Sequence, residues 1–316
     1  MTVAEKFKAF IRLSKPFKFL TMVYPFLLGT VVAIWDEKRI DVGLFLVSFS
    51  ILMLAVECVY VQNDVADLKT DSENPSKFTG GSKVLVEGLI SPKEALFIAY
   101  ASGILAVLLG LVFVFKYRFS WNFYFLCFVL FLIAYGYTGW PFKFAYRGLG
   151  EVVLAFTNAI APTLIAYMFQ TRHFSWLPVV MALPYMISVF AQKILREFPD
   201  YEPDKRAGKR NLVVRFGKDV MANVYIVSLY FYLVSLIFCA VYLLHLGLSI
   251  VVTVPIAYLF ISAYNLINIA KSKVDFYNDY EILRQMNGKG FKLMFDTNIV
   301  LIIVLGMDLL IKAVRG

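Results

Sequence analysis

The chain has 316 residues, of which 60% are apolar and 17% charged, and its formal net charge is +9. That balance excludes an ordinary water-soluble domain, because the charges are clustered and the apolar runs between them are long enough to span a bilayer. The excess of positive charge does not point to nucleic acid, since the basic residues sit in short segments between apolar runs, where membrane topology puts them.

The first residues form a Lys-rich polar stretch without the pattern of a cleavable leader. Residues 4–17 read as a basic amphipathic helix on the membrane surface. Nine spans are expected after it, at roughly 18–35, 42–66, 94–115, 121–138, 148–169, 176–197, 220–243, 247–270 and 293–313. Helices are the default in lipid, where each backbone polar group must be satisfied within its own segment, and the period-2 pattern of a membrane barrel is absent. The expected fold is therefore an all-α membrane protein in a single domain, with loops and short helices capping its cytoplasmic side. Cys58, Cys127 and Cys239 fall inside apolar runs and read as inert buried thiols.

With a cytoplasmic N-terminus, 24 of the 31 basic residues lie on the inner side and 7 on the outer. The C-terminus of a nine-span chain is then outside. The long segments 67–93 and 198–219, and a third at 271–292 with a short surface helix, all face inward in this scheme, which puts the working face there.

The second span ends in Asn63, Asp64, Asp67 and Asp71, and the sixth in Arg196, Glu197, Asp200 and Asp204. The acids at 64, 67 and 71 match those at 197, 200 and 204 in spacing. This echo suggests parallel four-helix repeats, about 18–138 and 148–270, plus a ninth helix at about 293–313, with a site between the halves. Spacings of three and four put each trio on one helix face, where like charges repel unless something offsets them. Acids at a membrane boundary are costly and usually functional. All the donors are oxygens, which suits magnesium completed by phosphate and water.

Phosphate needs donors, and Lys18, Lys77, Lys83, Lys143, Lys193, Arg196, Lys205, Arg206, Lys209 and Arg210 lie on the same side. Lys143 stands out because Trp140-Pro141-Phe142-Lys143 directly follows a span. Gly80-Gly81-Ser82 offers backbone N–H groups to an anion. His173 and His245 fall on the opposite side and have no expected catalytic part. Of the many aromatics, Tyr135, Tyr137, Phe156 and Tyr185 are candidates to line an isoprenoid tunnel and to face an allylic cation.

These motifs resemble the UbiA superfamily of intramembrane prenyltransferases, whose members carry N-D-x-x-D-x-x-x-D after the second of nine helices and D-x-x-x-D after the sixth. The segments Phe78 to Leu85, Tyr137 to Lys143, Tyr146 to Glu151 and Gly208 to Val214 are similar to those of 1,4-dihydroxy-2-naphthoate prenyltransferases of menaquinone biosynthesis. One departure is Arg196-Glu197, where those relatives carry Asn-Asp. The resemblance implies a UbiA-type bundle in which Asp67, Asp71, Asp200 and Asp204 hold two magnesium ions, supported by Asn63, Asp64 and Glu197. It assigns the diphosphate to Lys143, Lys77, Lys83, Arg196 and Lys18. The implied partners are a prenyl diphosphate, a small aromatic acceptor and the bilayer, with no obligate protein partner. Geranylgeranylglyceryl phosphate is an alternative acceptor. A CDP-alcohol phosphotransferase is disfavoured because its D-G-x-x-A-R motif is missing. A transporter is disfavoured because the acids sit at helix ends and not at mid-membrane.

Overall fold

The computed structural model describes residues 2–73 and 81–315. Fourteen α-helices are present among them. They are α1 (Val3–Ser14), α2 (Pro16–Glu37), α3 (Val42–Ala66), α4 (Leu68–Glu73), α5 (Pro92–Tyr117), α6 (Trp121–Tyr135) and α7 (Gly150–Asn158). After them come α8 (Ile160–Thr171), α9 (Leu177–Glu197), α10 (Tyr201–Arg206), α11 (Leu212–Phe216), α12 (Lys218–His245), α13 (Ile256–Ser272) and α14 (Tyr280–Arg315).

Helix ends follow local chemistry. Asp41 Oδ1 accepts from Leu44 N–H at 2.9 Å and starts α3. Lys38, with φ of 57°, closes α2 in the left-handed conformation. Lys15, with φ of 52°, ends α1 and turns the chain directly into α2.

Among the described residues, eight helical segments are long and apolar enough to cross a membrane. The fourth expected span, α6, is only 15 residues, so at about 1.5 Å per residue it falls short of the hydrocarbon core. The fifth is two helices that break at Ala159, whose φ and ψ are −114° and −74°. The last is far longer than expected: α14 runs for 36 residues, and it absorbs part of the segment 271–292 that reads as a loop with a surface helix. Polar residues do not break it, because Gln192 Nε2 donates to Asn287 Oδ1 at 2.6 Å and ties its first turns to α9.

The bundle is built by long pairings. α3 lies along α5, α2 along α8, and α9 against both α12 and α14. Phe97, Ile104, Leu108 and Phe115 on α5 face outward, as do Phe231, Val234 and Phe238 on α12. That is the surface of a bundle dissolved in lipid. Several polar groups of the interior are paired: Tyr185 O–H donates to Thr21 O at 2.9 Å, and Tyr232 and Thr297 share a hydrogen bond of 2.8 Å. At the end opposite the acidic motifs, the fully buried Asp308 accepts from Trp35 Nε1 at 2.7 Å and Ser249 N–H at 2.8 Å, and it pairs with Lys312 at 2.7 Å.

The surface-helix reading of α1 needs correction on one face. Ala9 and Leu13 are buried with Val61, Val84, Leu85 and Ala99, and Arg12 grips Glu87 through both guanidinium nitrogens at 2.9 and 2.8 Å. Phe7, Phe10 and Ile11 face out.

Helices α2 and α8 touch backbone to backbone at Gly29. A Cβ there would overlap the carbonyl of Thr163. Small residues permit such close approach in membranes. Gly29→Ala should therefore lower stability by about 1–3 kcal/mol, read as a drop in the unfolding midpoint in detergent. Gly110, with open space around its Cα, is the control: Gly110→Ala should leave the midpoint unchanged or raise it. Equal effects at both sites would contradict the packing.

Candidate active site

Both acidic motifs end a long helix and then turn. Asp67 is the residue at which α3 stops, with φ and ψ of −91° and 1°, and α4 carries Asp71 onward. Asp200 precedes α10, which carries Asp204. Helices α4 and α10 touch, so the two motifs, more than 130 positions apart in sequence, converge at one end of the bundle.

Lys209 joins them. Its Nζ lies 3.3 Å from Asp67 Oδ1 and 3.6 Å from Asp204 Oδ1. Burial works against its charge, but the two carboxylates outweigh that and raise its pKa. Tyr146 O–H donates to the same Asp67 oxygen at 2.6 Å, and the Lys209 ammonium stands 5.4 Å from that ring. Asn211 Nδ2 donates to Asp204 Oδ2 at 2.8 Å.

Asp64 is held differently. Its Oδ1 pairs with the Lys15 ammonium, and its Oδ2 accepts from Ser82 N–H at 3.0 Å. The anion met by the Ser82 backbone N–H is thus the protein's own carboxylate. A Cβ on Gly81 would come within 2.5 Å of Asp71 Oδ2 and 2.9 Å of Asp64 Oδ1, so glycine is what lets this loop lie across the acids. Burial first, then repulsion from Asp67 and Asp64, pushes Asp71 up to about 6. Burial likewise raises Asp204. Lys83 Nζ donates to the Asp71 backbone carbonyl at 2.7 Å. Lys18 lies within electrostatic reach of Lys15, Arg196, Asp64 and Asp71.

Other expected residues stand further off. Asn63 accepts from Thr138 Oγ1 and so braces the end of α3. Glu197 is buried and pairs with Lys193 at 2.9 Å, with the carboxyl of Glu151 close by. Arg196 stacks 5.5 Å over Phe291. Lys143 is exposed, and among the described residues no ion pair joins it to the acids. Lys77 and Gly80 lie outside the described residues.

Sequence reasoning missed Glu151, which is 1% exposed and accepts from Leu212 N–H at 2.5 Å. It also missed the roles of Lys15 and Tyr146. Lys209 was one basic residue among ten. Nothing in the local pattern distinguishes it; only the approach of α4 to α10 does.

An apolar cavity of about 310 Å3 opens beside this cluster, lined by α3, α5, α6 and α8. Helix α3 lines it from Ser48 to Tyr60, about 18 Å at helical rise. Its next turn carries Asn63 and Asp64. The aromatic lining is Tyr60, Phe113, Trp121, Tyr124, Phe128 and Phe131, with Phe169. None of Tyr135, Tyr137, Phe156 and Tyr185 is in it. Tyr185 is wholly buried against α2 instead, and Tyr137 lies near Lys193, Glu197 and Glu151. Alternation along the sequence cannot reveal which face of α6 a neighbour leaves uncovered.

Among the described residues no three acidic, His or Cys side chains form a ready metal cage. The donor set nevertheless fits magnesium, which takes one or two carboxylates and completes its shell with phosphate and water. An ammonium already sits between Asp67 and Asp204, which marks the space between the motifs as a place for positive charge. Lys209→Gln should leave these partly buried carboxylates uncompensated, a loss of about 3 kcal/mol. The unfolding midpoint in EDTA should fall, and magnesium should restore part of it. A midpoint indifferent to magnesium in this variant would argue against a metal between the motifs.

Residues 22–276 match the UbiA prenyltransferase family. Over 212 residues the chain is 28% identical to the 1,4-dihydroxy-2-naphthoate octaprenyltransferase of Bacillus subtilis, and this match covers 65% of each protein. Over 226 residues it is 26% identical to the 2-carboxy-1,4-naphthoquinone phytyltransferase of a Synechocystis species, covering 71% of this chain and 72% of that one. A UbiA homolog from Archaeoglobus fulgidus, solved bound to GPP and Mg2+, shares the fold with a TM-score of 0.64 at 16% identity, over 90% of this chain and 99% of that one. With the match running through both acidic motifs and most of the bundle, the chain belongs to the UbiA prenyltransferase family.

Proposed function

We propose that this chain transfers a prenyl group from a prenyl diphosphate to an aromatic quinone precursor, with 1,4-dihydroxy-2-naphthoate the preferred acceptor. The observation that carries the reading is the apolar cavity that ends on α3 one helical turn from the first of two converged acidic motifs. Such a site takes a greasy chain at one end and a charged head at the other. The names of the curated relatives support the aromatic acceptor.

In this reading Asp67, Asp71, Asp200 and Asp204 hold two magnesium ions, with Asp64 and Asn63 bracing them. Bound magnesium supplies positive charge to the departing diphosphate. Lys15, Lys83 and Lys209 add fixed positive charge at the same end, with Lys18 close to Asp64 and Asp71. As the C–O bond breaks, the diphosphate takes the electron pair and the prenyl carbon becomes an allylic cation. The apolar walls keep water from it. Tyr60, Tyr124, Phe128 and Phe131 offer π faces to the cation. The electron-rich ring carbon that bears the acceptor's carboxylate then closes the new bond, and that carboxylate leaves as carbon dioxide, its C–C electron pair returning to the ring. Glu197, paired with Lys193, acts beside the acids and not on the metal. The acid end faces the cytoplasm, α6 completes a ninth crossing with its flanking turns, and the two halves are parallel repeats. Cysteines placed in the segments 81–83 and 205–211 should label from the cytoplasmic side alone.

The decisive assay supplies a prenyl diphosphate and magnesium with either carboxyl-labelled 1,4-dihydroxy-2-naphthoate or geranylgeranylglyceryl phosphate. Labelled carbon dioxide and diphosphate are expected with the first. Turnover only with the second would overturn the acceptor and leave the transferase standing. Asp67→Asn and Asp200→Asn should each cost roughly 100- to 1000-fold in turnover, with folding retained, and EDTA should stop the wild type. Wild-type rates in both variants would exclude the acids from the reaction.

A further inference from the structure

A second, basic pocket lies behind the acidic one. Arg147 comes from the loop between α6 and α7, and Arg210 and Arg215 come from the segment around α11. With Tyr146 and Val214 they line a concavity of about 550 Å3. All three arginines are exposed. Among the described residues none of them has an acidic partner, although the chain pairs Arg12, Arg39 and several lysines with acids. Arg147 Nη2 donates to the Pro141 carbonyl at 3.2 Å, and Arg215 stacks 5.6 Å from the Phe216 ring.

The convergence is built by the backbone. Gly148 has φ of +75°, and a Cβ there would come within 2.9 Å of the Arg210 carbonyl and 3.1 Å of Arg215 Nη1. Only glycine lets the Arg147 loop lie against the Arg210–Arg215 segment in this way. Topology signals alone require arginines on one side of the membrane, not three of them aimed into one hollow. Like charges lining a cleft focus counter-ions into it, and guanidinium groups match phosphate oxygens in pairs.

The position gives the ligand class. Tyr146 is the wall between the two sites: its hydroxyl is bonded to Asp67, its ring faces Lys209, and it also lines the arginine pocket. We propose that Arg147, Arg210 and Arg215 form a binding site for a phosphate-class oxyanion, distinct from the acidic cradle. Two sources share this chemistry. One is inorganic diphosphate leaving the neighbouring cradle. The other is the phosphate of an anionic lipid, because the pocket adjoins the first turn of α7 and precedes α12, both at the ends of membrane spans.

The test uses the full chain in neutral detergent with EDTA and no prenyl donor, so that it stands or falls apart from prenyl transfer. Titration calorimetry with inorganic diphosphate should show binding that Arg210→Gln/Arg215→Gln weakens at least tenfold. Native mass spectrometry after mixing with phosphatidylglycerol or phosphatidylcholine reads the second source. If lipid occupies the pocket, the wild type retains one more phosphatidylglycerol than the variant, and phosphatidylcholine shows no difference. A change in either arm supports the site and names its source. If the double variant does not fold, the single Arg210→Gln decides, with a loss of threefold or more expected. Arg210 makes no side-chain hydrogen bond or ion pair among the described residues, so its loss leaves the fold alone. Diphosphate affinity and phosphatidylglycerol retention both unchanged by the substitution would overturn the proposal.

Discussion

One ammonium group, that of Lys209, sits between carboxylates from the two ends of the same chemistry, 3.3 Å from Asp67 and 3.6 Å from Asp204. Within the first motif Asp64 and Asp67 already repel Asp71 across the break between α3 and α4, and bringing two motifs together compounds that repulsion. Half-buried carboxylates cannot be left uncompensated at a low-dielectric boundary. The contact of α4 with α10 therefore depends on cations supplied from elsewhere in the chain. Lys15 from the α1–α2 junction serves Asp64 in the same manner. The long pairings of α3 with α5, and of α9 with α12 and α14, bring the motifs to one end, and these lysines let them stay there.

The same arrangement sets up a steep change of environment. Along α3, the residues from Ser48 to Tyr60 face an apolar cavity, and the next turn carries Asn63 and Asp64. A single rigid helix thus fixes the distance between a dry, aromatic-lined space and a charged one. Tyr60 marks the join, with its hydroxyl bonded to Thr21 at 3.0 Å and to the Lys18 carbonyl at 3.3 Å. Its ring belongs to the cavity, and its polar tip meets the helix that carries Lys18. Amphipathic aromatics suit such a position because one end is apolar and the other needs a partner.

Glycines decide how closely the loops can approach these groups. Gly81 lies against Asp64 and Asp71, and Gly148 against Arg210 and Arg215. In the first case the result is a backbone N–H, that of Ser82, aimed at a carboxylate. In the second it is a set of guanidinium groups turned toward one hollow. The Arg196-Glu197 departure from the naphthoate pattern is absorbed locally: Arg196 stacks on Phe291 and Glu197 is neutralised by Lys193 four residues before it. Its proximity to buried Glu151 and Tyr137 makes a second polar cluster next to the acids.

The sequence by itself determined that this is a helical membrane protein and that its acids cluster at two helix ends. Both facts rest on local pattern: apolar run length fixes a span, and the acids follow directly where the runs at Ala66 and Glu197 end. It located Val42–Ala66 to the residue because Asp41 is a strong cap and the run is unbroken. It misjudged α14, because charge in the first turns of a helix looks like a loop until Gln192 is seen to hold Asn287. It could not select the aromatic lining of the cavity, since any aromatic in an apolar run fits lipid, core or cavity equally well. Only the tertiary structure picked out Lys209, Lys15, Tyr146 and Glu151. Apart from Asp204, five positions before Lys209, their partners lie 49 to 142 positions away in the chain, and which cation meets which carboxylate is settled by helix packing, not by the spacing of either residue.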